Sequence, residues 1–280
     1  MIRLIFLLML ACGILPVLAA DPEQTIYGQG AHRFRLATGS PGELGLLKVL
    51  AEKFASTDDA QMVWIKAGTG QSLNLLRDKK VDMVMVHAPA QVDQAIKDGW
   101  ATGKTLIGSN EFYIVGPKAD PAKIATATSA VEAYRRIAAA QSPFVSRGDN
   151  SGTHQKEMQV WKQAAMQPAG AWYIVTKDFM TASLRRANAE GAYFMSDSST
   201  WLMEKSVAPD LQIHFRGDRF LVNTYHAIVA PAGAGGGRDT AEKFIAFVAS
   251  PQGQEIIAQY GRDRFGEGLY NDAAYARQFD

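Results

Sequence analysis

The stretch Phe144-Val-Ser-Arg-Gly-Asp-Asn-Ser-Gly-Thr-His154 runs from an apolar strand end into a dense set of hydrogen-bond donors and then into a helical pattern. Ser151, Gly152 and Thr153 fall where a helix starting near His154 leaves backbone N–H groups unpaired, and the positive end of the helix dipole adds to their pull on an anion. Arg147 adds a forked donor that is always charged. Taken alone, the same residues also read as a capping serine and an exposed Arg-Gly-Asp turn. The surrounding chain has to decide between the two.

Upstream, Phe34-Arg-Leu-Ala-Thr38 alternates like a short strand, Gly39 to Glu43 breaks it, and Leu44 to Phe54 repeats apolar residues at helical spacing. Met62 to Lys66 reads as a second strand, Gly68-Thr69-Gly70 as a loop and Ser72 to Arg77 as a helix. Val81 to Val86 is a nearly continuous apolar run, the mark of a buried strand, and it delivers His87-Ala88-Pro89 at its carboxyl end. Strands alternating with helices predict an α/β fold of doubly wound sheets, with ligands beyond the carboxyl ends of the strands, where all three loops emerge.

Glu111 to Pro117 and Leu221 to Pro231 read as two further strands, with helices over Ala130 to Ala140, Glu157 to Ala165 and Met180 to Ala189 between them. The simplest organisation is two lobes joined by two crossing strands. Residues 21–114 and 224–280 form lobe 1, residues 115–223 form lobe 2, and the interface leaves a cleft suited to a small ligand. Gly233 to Gly237 reads as a surface loop, since no strand with a phosphate-binding helix accompanies it.

Residues 1–20 carry Arg3, an apolar run from Leu4 to Leu18, and Ala19-Ala20 before Asp21, the pattern of a cleaved signal peptide. Cys12 is the only cysteine, and after Met9-Leu10-Ala11 it weakly suggests a lipid anchor; cleavage after Ala19 or Ala20 is preferred because it removes the whole apolar run. The chain has 29 Lys and Arg against 28 Asp and Glu, so loss of Arg3 leaves the mature protein formally neutral. With no basic run, that balance argues against a nucleic-acid partner. The placement expected is the periplasm or the extracytoplasmic face.

The residues resemble the extracytoplasmic solute-binding proteins of ABC importers, most closely the tungstate-binding branch. The likeness is carried by Leu36-Ala-Thr38, Gly68-Thr-Gly-Gln71, Val86-His-Ala-Pro89, Phe112 to Pro117, Ser146 to His154, Trp172-Tyr173, Ala192-Tyr193 and Asn223-Thr-Tyr225. It implies a two-lobed type II periplasmic binding fold that closes on one oxyanion, acts as a monomer, and hands the anion to an ABC permease subunit. The anion contacts implied are Thr38, Gly39 and Ser40 in the first loop, Gly68, Thr69 and Gly70 in the second, His87, and Arg147, Ser151, Gly152 and Thr153 from the other lobe. A cage of hydroxyls, backbone N–H groups and one arginine, with no carboxylate, suits a fully deprotonated dianion.

The chain departs from the family twice. The first loop reads Thr38-Gly39-Ser40-Pro41 where the family has Thr-Thr-Thr-Ser, and Ser196-Asp197-Ser198-Ser199-Thr200-Trp201 stands where it has Thr-Asp-Arg-Gly-Thr-Tyr. Ser198 therefore replaces a second arginine, which is expected to weaken or shift anion selectivity. Two other roles stay open at this stage: a sensor subunit presenting a ligand to a receptor kinase or chemoreceptor, and a serine hydrolase built on Ser151 and His154. The hydrolase lacks Gly-x-Ser-x-Gly and a placed acid. The histidines at 32, 87, 154, 214 and 226 show no ligand spacing, so neither a metal nor a cofactor is expected.

Overall fold

The computed structural model describes residues 23–233 and 235–280. The signal-peptide and Cys12 expectations lie outside the described residues. The strands are β1 (Gln24–Tyr27), β2 (His32–Thr38), β3 (Ala60–Lys66), β4 (Met83–Val86), β5 (Thr102–Pro117), β6 (Phe144–Ser146), β7 (Tyr173–Val175), β8 (Tyr193–Asp197), β9 (Leu211–Phe215) and β10 (Val222–Val229). They hydrogen-bond in the order β1-β3-β2-β4-β10-β5-β8-β6-β7, with β9 alongside β5.

One strand connects two sheets. β5 pairs with β10 from Thr102 to Glu111, then with β8 from Phe112 to Val115 and with β9 from Ile114 to Pro117. From sequence, only its second half, Glu111 to Pro117, reads as strand. The first half is broken by Gly103, Lys104 and Gly108, which hide the alternation, and its pairing with β10 is bulged next to Tyr225.

Each sheet is covered on both faces, which is why its strands are apolar almost without interruption. Along β2, β3, β4 and β10, Leu36, Met62, Trp64, Met83, Met85 and Ala227 face one core with Leu47, Leu50, Phe54 and Phe244. The alternate residues Ala37, Ile65, Val84, Val86 and Ile228 face a second core with Leu73, Leu76 and Val92. On the second sheet, Phe112, Ile114, Phe144 and Tyr193 pack on Tyr134 and Trp161, while Val115, Val145 and Phe194 pack on Leu184. The fold is the two-lobed α/β architecture expected, two cores to each lobe.

β2, β3 and β4 are mutually parallel, as are β6, β7 and β8, so their carboxyl ends present loops along one edge in each lobe. The helix expected over Glu157 to Ala165 starts earlier and spans Gly152–Gln163, because Ser151 caps it by accepting a hydrogen bond from the His154 N–H. The C-terminal segment returns to lobe 1, where Phe244 of the helix Arg238–Ala249 meets Phe34 and Phe54 with ring centroids 5.4 and 5.3 Å away. Phe244→Ala should therefore cost about 3–5 kcal/mol, read as a lower urea midpoint with an unchanged m-value.

Candidate functional site

The loops after β2, β3, β4 and β6 meet at a cavity between the lobes lined by Gly39, Ser40, Pro41, Glu43, Gly68, Thr69, His87, Arg147, Ser151, Phe179 and Tyr225. Its volume is about 10 Å³, roughly the room of one water molecule with the lobes as close as they stand. Three helices begin at its walls: Thr69–Arg77, Gly152–Gln163 and Met180–Glu190. The first and third have no capping side chain, their N-cap positions being Gly68 and Phe179. Among the described residues, the N–H groups of Thr69, Gly70, Gln71, Gly152, Thr153, Met180, Thr181 and Ala182 have no acceptor. Such groups, with the helix dipoles behind them, make an anion site.

Arg147 is held before any ligand arrives. Its Nε donates to the Asp178 carbonyl at 3.0 Å and its Nη2 to Asp149 Oδ2 at 2.5 Å, and the residue is 5% exposed. Nη1 makes no hydrogen bond among the described residues and remains the free arm. Burial alone would push the Asp149 carboxyl upward, but Arg147 and the hydrogen bonds with Ser151 outweigh it and hold Asp149 below the usual carboxylate range. Asp149 Oδ1 accepts the Ser151 N–H at 3.1 Å, so that N–H is not free, contrary to the sequence expectation. Ser151 Oγ accepts from His154 N at 3.3 Å, and the hydroxyl also faces the Asp149 carboxylate that it helps to hold low.

His87 works as a spacer between the lobes. A side-chain carbon on Gly152 would stand 2.2 Å from the imidazole, so only glycine lets the lobes approach this closely. In the same way, a carbon on Gly70 would stand 2.8 Å from Asn150 Nδ2. Burial lowers the His87 pKa to about 4, with the Asn223 bond opposing it, so the ring is neutral near neutral pH. Beyond His87 lies a wider groove of about 640 Å³, lined by Lys156 and Lys162 among others. The Lys156 Nζ there is occupied by the Phe220 carbonyl at 2.9 Å.

Seven of the twelve expected residues line the cavity: Gly39, Ser40, Gly68, Thr69, His87, Arg147 and Ser151. Five do not. The Thr38 hydroxyl donates to the Met85 carbonyl at 2.8 Å, tying β2 to β4. Gly70 and Gly152 serve as close-contact points, and Thr153 is buried beside them. Ser198 is used elsewhere, its Oγ accepting the Glu111 N–H at 3.2 Å, so it joins β5 to the start of the helix Ser198–Glu204 instead of facing the cavity.

Sequence reasoning missed Pro41, Glu43, Phe179 and Tyr225. Glu43 corrects the expectation of a carboxylate-free cage: it lines the cavity, and Lys66 neutralises it at 2.9 Å. Tyr225 lies in the matched Asn223-Thr-Tyr225 run and stacks on His87 at 5.0 Å, so that motif held its signal. The hydrolase arrangement is absent from this site: His154 Nδ1 accepts from the Asn150 N–H at 3.1 Å, so the ring does not serve the Ser151 hydroxyl.

Residues 19–252 match the PBP superfamily domain, and the chain belongs to that superfamily. It is 36% identical over 230 residues to a putative ABC transporter anion-binding protein of Haloferax volcanii, covering 80% of this chain and 67% of that protein. It is 30% identical to the tungstate-binding protein TupA of Peptoclostridium acidaminophilum, covering 85% and 84%. Among solved structures it is similar to the tungstate ABC transporter protein of Geobacter sulfurreducens, at 36% identity and a TM-score of 0.75 over 83% of this chain and all of that one.

Two buried groups, His87 at the cavity and Glu157 farther along the helix Gly152–Gln163, titrate in opposite senses. Burial raises Glu157 to about 7, only partly countered by hydrogen bonds from Tyr173 and Trp161. Its contribution to stability is full below its unfolded pKa near 4.5 and is lost as pH rises through about 7. His87 behaves oppositely, losing stability as pH falls from about 6.5 through about 4. Urea melts of wild type and Glu157→Gln should therefore differ by an amount that changes by on the order of 3 kcal/mol between pH 7 and pH 4.5, the variant showing the steeper acid loss.

Proposed function

We propose that this chain is an extracytoplasmic receptor that captures one small tetrahedral oxyanion, tungstate foremost, between its lobes and delivers it to the permease of an ABC importer. The observation that carries the reading is the convergence of three helix amino ends and the free Nη1 of Arg147 on one small cavity. The tungstate-binding relatives and the apolar run from Leu4 to Leu18 support it. We take residues 21–114 and 224–280 as lobe 1 and 115–223 as lobe 2. Both walls of the cavity then come from one chain, which supports action as a monomer.

In this reading the anion is held by Arg147 Nη1 and the N–H groups that open the three helices. Donors of this kind supply charge-assisted bonds and offer no proton acceptor. Glu43 is kept compatible with an anion by its bond to Lys66. Opening of the lobes separates Gly68 and Gly70 from Asn150 and Ser151 and breaks the donor set in two, releasing the anion.

Calorimetric titration with tungstate, molybdate, sulfate and phosphate tests the reading. At least one should bind well below millimolar, and failure of all four sinks it. Arg147→Ala removes a charge-assisted donor worth about 1.5–3 kcal/mol, so affinity for the bound oxyanion should fall about ten- to a hundredfold. Gly152→Ala should also weaken binding about tenfold or more without lowering the urea midpoint, because the added carbon meets the His87 ring only when the lobes are shut.

A further inference from the structure

Phe179 lines the cavity and stands between two cations. Lys66 Nζ lies 4.6 Å from its ring centroid and Arg147 Cζ lies 5.6 Å from it. A cation within about 6 Å of an aromatic face is drawn to the ring quadrupole. Lys66 closes β3 of lobe 1 and is itself fixed by Glu43 at 2.9 Å, whereas Phe179 and Arg147 belong to lobe 2. The contact between Lys66 and Phe179 therefore spans the cleft and forms only when the lobes are shut.

The position is an unusual one for an aromatic residue. Phe179 is the N-cap of the helix Met180–Glu190, where Ser, Thr, Asp or Asn would satisfy an N–H, and the helix has no side-chain cap at all. A phenylalanine there gives up that bond and stays half-buried at the cavity wall. What it gains is the face it presents to the two cations and the exclusion of water from one side of the donors.

We propose that Phe179 is a clasp whose ring, gripped by Lys66 from across the cleft, holds the lobes together over the bound anion and sets the rate at which the anion leaves. The kinetic part rests on the oxyanion-receptor reading; the part concerning closure does not. Arg147 is aligned by the same ring, so the clasp and the anion site share one side chain.

The test combines small-angle scattering of the ligand-free protein with stopped-flow dissociation of tungstate. Phe179→Ala should enlarge the radius of gyration and raise the dissociation rate about tenfold, with the association rate within about threefold of wild type. Phe179→Leu, which keeps bulk and loses the π face, should behave like Phe179→Ala, and Phe179→Trp like wild type. The clasp is overturned if Phe179→Ala changes neither quantity, or if Phe179→Leu retains wild-type values of both. If wild type binds no oxyanion, the receptor reading fails, while the scattering comparison still decides the clasp.

Discussion

Three helices of 9, 12 and 11 residues start at one cavity, and the rest of the architecture serves to hold their amino ends there. Each end carries roughly half a positive charge, so three brought together repel one another unless an anion lies between them. The parallel strands make this convergence obligatory, because β3 and β6 each run straight into the loop that opens a helix. The cost of assembling the like ends is met by the four cores that cover both faces of the two sheets.

A directional chain of hydrogen bonds passes through the strands that join the lobes. His87 Nδ1 faces Asn223 Oδ1 at 2.9 Å, Asn223 Nδ2 donates to Asn110 Oδ1 at 2.8 Å, and Asn110 Nδ2 donates to Ser199 Oγ at 2.9 Å and to Asp197 Oδ1 at 3.2 Å. Ser199 Oγ then donates to the Leu269 carbonyl at 2.6 Å. Since Asn223 uses its amide toward Asn110, its carbonyl is left to accept, which places the His87 proton on Nδ1. The hinge thus fixes the tautomer and the orientation of the ring on which Gly152 closes. Ser198, at the start of the neighbouring helix, adds to this same join through Glu111 rather than to the cavity.

The sheets and the anion loops could be read from the chain because their signals are local. Two-sided apolar runs such as Val81 to Val86 report burial, and Ser-Gly-Thr before a helical pattern reports its start. The rest is tertiary. β6 and β7 have three residues each, too few for a period to show. Thr38 and Ser198 have the right chemistry for an anion and the right place in the motif, yet each hydroxyl is taken by a neighbouring strand. Phe179, between Asp178 and Met180, looks like an ordinary core residue until Lys66 arrives from 113 positions upstream.

The charges at the cavity are arranged in two pairs, Arg147 with Asp149 and Lys66 with Glu43, and each pair is formally neutral. Attraction for an anion therefore rests on geometry more than on net charge. Asp149 consumes one arm of Arg147 and, by accepting the Ser151 N–H, also orients the start of the helix Gly152–Gln163. The arm left over and the unpaired helix N–H groups supply the positive potential, about half a unit charge per helix end, in a space walled by His87, Phe179 and Tyr225. Fixed dipoles need no reorganisation to face a charge placed between them. A pocket built from mobile cations would keep its attraction when open. Opposed helix ends divide when the lobes part, the start of Thr69–Arg77 going with one and the starts of Gly152–Gln163 and Met180–Glu190 with the other, which in the proposed reading would couple capture to release.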